Sequence, residues 1–69
     1  MKKLLRHIPT GKWVGLEGRL TNDIDEALQV HAVSDALGVC LKYDLTQMEM
    51  VWKFDAEEYD VTSPIGFAF

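Results

Sequence analysis

The stretch Leu37–Phe54, LGVCLKYDLTQMEMVWKF, constrains the fold more than any other part of the chain. From Leu37 to Leu45 the apolar side chains occupy odd positions: Leu37, Val39, Leu41, Tyr43 and Leu45. Past Thr46-Gln47 they move to even positions: Met48, Met50, Trp52 and Phe54. Period-two alternation marks a strand with one buried face. The reversal of parity predicts an antiparallel hairpin, because opposed residues share a face and a one-residue slip turns every side chain over. An even-length loop centred on Thr46-Gln47 pairs Leu45 with Met48, Tyr43 with Met50, Leu41 with Trp52 and Val39 with Phe54. Each apolar pair contributes about 0.2–1 kcal/mol beyond Ala–Ala. Thr-Gln lacks the Gly or Asn of a tight primed turn, so a four-residue connection is expected.

A helix is predicted over residues 23–37. Asp23 is placed to cap it, Glu26 sits at the third helical position, and Gly38 follows as a C-terminal cap. Its apolar arc is interrupted by His31, Ser34 and Asp35, and a strand over Ala27–Val33, with Leu28, Val30 and Ala32 on one face, is the alternative. Lys12–Leu20 is predicted as a strand in which Trp13 lies on the parity opposite Val14. Its two glycines mark a bulge or a close backbone approach. Leu4, Leu5 and Ile8 belong to an edge strand or an arm. Tyr59–Thr62 and Ile65–Phe69 are short candidate strands, the latter completing the sheet or docking on a partner. The expected fold is a single α+β domain over residues 1–69. A small antiparallel sheet of four or five strands carries one helix on one face, in the order β-α-β-β-β.

At 69 residues the core is marginal, and Cys40 is the single cysteine, so no disulfide supports it. The lone thiol fits a reducing compartment, and the start MKKLLRHIPTGK lacks the apolar core of a signal peptide. A cytoplasmic protein without a membrane span is expected. Residues 1–20 hold five basic residues and one acid, whereas residues 21–69 hold two basic residues and ten acids. Such a balance argues against direct nucleic-acid binding, which favours a basic domain.

Gly11-Lys12 has no earlier glycine at phosphate-loop spacing, and Trp13 stands where Ser or Thr is required. No nucleophile elbow or catalytic cysteine signature is present, so a non-enzyme is expected. His7, His31 and Cys40 lack close metal-ligand spacing, and Asp55–Asp60 does not match a calcium loop. Neither a metal nor a cofactor is expected. His31 and Asp35 are four residues apart, placing an imidazole beside a carboxylate if both are helical. Together with Arg19 they are candidate ligand contacts at the interface of a homo-oligomer.

The segment DAEEYD concentrates Asp55, Glu57, Glu58 and Asp60, carboxylates able to imitate phosphates toward a basic surface. Trp13 and Phe67 are candidate aromatic anchors. These residues point to a protein-binding protein, an acidic inhibitor or adaptor. The profile is similar to that of small phage- or plasmid-encoded anti-defence inhibitors, a similarity of size and charge that no motif carries.

Overall fold

A computed structural model describes residues 1–65, with Glu57 described by its backbone. Among these residues five strands and one α-helix occur: β1 (Lys2–His7), β2 (Trp13–Val14), β3 (Leu20–Thr21), α1 (Val33–Lys42), β4 (Met48–Lys53) and β5 (Val61–Ile65). The strands form one antiparallel sheet in the order β3-β2-β1-β4-β5. The α+β class, the antiparallel sheet and the single helix are as expected. The order along the chain is β-β-β-α-β-β, because the segment around Lys12–Leu20 folds back on itself and the N-terminal segment is a central strand.

The helix lies at Val33–Lys42, not at residues 23–37. Asp23 does cap, accepting from the Asp25 amide at 2.9 Å, but the turn it starts is a single 3-10 turn, Ile24–Glu26. Residues 27–30 run extended beside the sheet: Leu28 N–H donates to the Val14 carbonyl and Val30 N–H to that of Lys3, both at 2.8 Å. These inter-segment bonds replace the intrahelical ones that the local propensity favoured. Gly38 is mid-helix, and the C-terminal cap falls six residues later. There Asp44 adopts φ 55°, Tyr43 N–H donates to Val39 O, and Leu45 N–H donates to Cys40 O at 2.9 Å. The last bond, with Leu45 packed against the core, is a Schellman closure in which an aspartate takes the place of glycine.

The expected hairpin between residues 37–45 and 48–54 is therefore not formed. Its second half survives as β4, and Met48 and Met50 are buried toward the helix with Trp52 packed alongside. β1 takes the place of the first half, pairing Leu5 with Met50 and Leu4 with Val51. On the helix side Leu5, Val14, Met48 and Met50 pack with Val30, Ala36 and Cys40. On the opposite side Leu4 and Val51 are also buried, each 1 % exposed. Ile24 shares a cleft with Lys2 and Lys53, which puts the Ile24–Glu26 turn on that second face.

Backbone hydrogen bonds define the outer edge of β5. Ile8 N–H donates to Gln47 O at 2.8 Å, so odd-numbered residues of β4 turn their backbone groups to β1 and even-numbered ones to β5. Met48, Met50 and Trp52 then bond to Ile65, Ser63 and Val61, leaving Thr62 and Pro64 facing outward. Proline has no N–H, so this edge lacks a donor at position 64, which discourages a further strand.

Cys40 is 3 % exposed, and burial pushes its thiol pKa up. A buried neutral thiol is inert. The expected result is that a disulfide reagent labels Cys40 only as fast as the domain opens, with labelling accelerating in sub-denaturing urea. Rapid labelling in native buffer would contradict this placement.

Candidate functional site

Where β4 ends, the chain turns through residues 54–60 and returns as β5. Lys53 Nζ donates to Asp60 Oδ2 at 2.6 Å, and Phe54 N–H donates to Asp60 Oδ1 at 3.0 Å. Asp60 thus clamps the two sides of the turn, and its side chain is 17 % exposed. The carboxylate of Asp60, one of the candidate partner contacts, is engaged inside the chain. The Lys53 hydrogen bond, followed by that of Phe54, holds the Asp60 carboxyl below the usual carboxylate range, outweighing desolvation.

A depressed folded-state pKa means that the unfolded chain binds this proton more readily. The clamp's contribution is full above the ordinary Asp value, about pH 4, and is lost as pH falls through the depressed value. Melting temperatures measured from pH 6 to pH 2 should fall more steeply for the native chain than for Asp60→Asn. Identical pH profiles would show that the clamp does not form.

With Asp60 held, the turn exposes an apolar and acidic group together. Phe54 is 42 %, Tyr59 65 % and Val61 53 % exposed, and Asp55 and Glu58 are exposed beside them. Tyr59 N–H donates to the Ala56 carbonyl at 3.0 Å, closing the 3-10 turn Glu57–Tyr59 that presents the tyrosine. Phe54 continues the β4 parity that the alternation assigned to the core, but it lies past the last paired residue and lines the cleft that holds Lys2, Ile24 and Lys53. Phe67 lies outside the described residues.

Trp13 is in a different place. It pairs with Arg6, whose guanidinium lies 5.4 Å from the indole centroid and donates to Glu49 Oε1 at 2.9 Å. The indole is half-buried against this ion pair. Lys53 pairs with Lys2, so Trp13 lies four residues along and two strands across from the acidic turn. That separation is on the order of 16 Å at about 3.3 Å per residue and about 4.8 Å per strand. The structure does not unite Trp13 with Asp55 and Glu58 in one compact patch.

Arg19 lines an open cleft of about 440 Å³ with Gly15, Leu16, Glu17, Thr21 and Glu26. Its guanidinium is 3.8 Å from Glu17, with both side chains largely exposed, a contact of little energetic weight. His31 and Asp35 do not line this cleft. Asp35 Oδ2 accepts the backbone N–H of His31 at 3.3 Å, so the four-residue spacing serves the helix start and not the imidazole. The donor is the residue just before the N-cap, Ala32, so the bond ties the approaching chain to the first turn of the helix. Among the described residues no group of three or more His, Cys, Asp or Glu is placed to hold a metal ion. Among them, too, no helix is long and apolar enough to cross a membrane.

No family model matches the chain, and no curated protein or solved structure matches it either.

Lys53 and Phe54 are site residues to which the sequence alone does not point. A lysine and an aspartate flanking an acidic turn was the available signal for the clamp. Exposure of Phe54 had no signal, because its parity matched Trp52.

Proposed function

We propose that this chain is a non-enzymatic interaction protein, an inhibitor or adaptor, that binds a protein partner through the β4–β5 turn. The observation that supports it is the coincidence of exposed Phe54, Tyr59 and Val61 with exposed Asp55 and Glu58 on a turn held by the Lys53–Asp60 clamp. Aromatic side chains supply the desolvated anchor of an interface, and acidic neighbours favour a basic partner and speed its approach. A held turn loses little conformational freedom on binding. Trp13 then belongs to the outer part of a footprint or to none.

The test is comparative capture on immobilised protein. The native chain is expected to retain a basic partner at low salt and release it as salt rises. Asp55→Lys/Glu58→Lys should lose that partner, and Tyr59→Ala should weaken its retention without changing the salt dependence. A partner held equally by all three proteins would sink this site.

The cleft at Arg19 favours a second reading, a homo-oligomer with a small-ligand site completed by another copy. Leu16, 74 % exposed at its rim, is the apolar surface such a copy would cover. A ligand that raises the melting temperature of the native chain and not of Arg19→Ala would favour it.

A further inference from the structure

The helix α1 buries Ala36 and Cys40 against the sheet. Its outer side carries Ser34, Gly38 and Leu41, with Leu37 on one flank and Asp35 and Lys42 on the other. Leu41 is 67 % exposed, and Val33 at the first turn is 49 % exposed. A glycine inside a helix costs about 0.5–1 kcal/mol relative to alanine. Nothing among the described residues accounts for it here: a Cβ built at Gly38 meets none of their atoms within 4 Å. Among the described residues the helix backbone is bare on its solvent side, in a strip formed by Ser34, Gly38 and Leu41.

That strip is self-complementary. In an antiparallel pair of identical helices related by a two-fold axis, each flank meets its own counterpart. An axis through Gly38 lays Leu41 of one copy over the Gly38–Ser34 notch of the other, and the reverse. The same axis brings Asp35 opposite Lys42 of the second copy, twice. Asp35 lies in the first turn and Lys42 in the last, so the two ion pairs form only when the helices run antiparallel.

We propose that the outer face of α1 is a docking surface for a second copy of this chain, in an antiparallel two-fold pair centred on Gly38. It uses residues distinct from those of the β4–β5 turn and does not depend on the partner proposed there. A ten-residue helix is only about 15 Å long, so the contact covers well under the roughly 800 Å² per partner of a tight complex. The dimer is therefore weak and reversible.

Sedimentation equilibrium of the full chain tests it. The mass should rise from 7.8 kDa toward twice that value as concentration goes from about 10 µM to about 1 mM. Asp35→Lys and Lys42→Asp should each stay monomeric, because each sets like charges opposite one another. An equimolar mixture of the two should regain the native mass, because the heterodimer re-forms both ion pairs, one with the native signs and one with the signs exchanged. Asp35→Lys also weakens the helix start, so Gly38→Gln provides a variant that a folding defect cannot imitate. It improves helix propensity while filling the notch, and should raise the melting temperature yet hold the monomer mass. A native chain that stays monomeric to 1 mM, a mixture that fails to regain mass, or a Gly38→Gln chain that dimerises normally would each overturn the proposal.

Discussion

Gly18→Ala is expected to destabilise this domain by about 2–5 kcal/mol. Two costs add. Gly18 has φ +75°, and an L-residue there loses on the order of 1–2 kcal/mol. The new Cβ would also lie 2.6 Å from Cγ and 2.7 Å from Cβ of Tyr43. These atoms are at the root of the tyrosine, not its flexible end, so the clash is relieved only by shifting the turn Leu16–Gly18 or the end of α1. Overpacking of this kind costs about 1–3 kcal/mol. A domain of 69 residues has roughly 3.5–10 kcal/mol in all, at about 0.05–0.15 per residue. One methyl group therefore removes a large fraction of the total. Urea denaturation gives the value, and a cycle with Tyr43→Gly, which removes both clashing atoms, separates the two costs. In the Tyr43→Gly background the same change should cost only the backbone part. If the cost is equal in both backgrounds, Gly18 and Tyr43 are not in contact.

Leu5→Ala should cost about 2–5 kcal/mol, the range for a leucine removed from a packed core. Leu5 is 0 % exposed, pairs with Met50 in the middle of the sheet, and belongs to the cluster that α1 covers. Leu41→Ala, measured alongside at micromolar concentration, should change stability by less than about 0.5 kcal/mol, because Leu41 stands in solvent. The contrast decides between two folds. In a hairpin of residues 37–45 with 48–54, Leu41 opposes Trp52 in the core and Leu5 lies on an edge strand or an arm. In the structure the roles are exchanged. A severe Leu41→Ala and a mild Leu5→Ala would restore the hairpin.

At the candidate site, the chain alone displayed the acidic residues but not their division of labour. Asp60 differs from Asp55 and Glu58 only in having Lys53 and the Phe54 amide within reach. That difference exists only once β4 and β5 are paired. Likewise the His31–Asp35 spacing was legible, but whether the carboxylate met an imidazole or a backbone N–H depended on where the helix begins.

The sequence by itself determined the class of fold, the parity of β4, the placing of Trp13 opposite Val14, and the cap at Asp23. Each rests on side chains one to three residues apart, where local geometry acts without help. The tertiary structure decided what Leu37–Lys42 and residues 27–30 become. Leu37–Lys42 belongs to two periods at once: the odd positions are apolar for a strand, while Ala36, Val39, Cys40 and Tyr43 line one side of a helix. A strand has only two edges, and those of β4 are taken by β1 and β5. β1 offers Leu4 and Leu5, both buried when it lies in the middle of the sheet, one on each face. Residues 37–45 offer one apolar face only. With β1 in place, the same residues bury most by coiling into a helix over Leu5, Met48 and Met50, and the period of 3.6 prevails over the period of two.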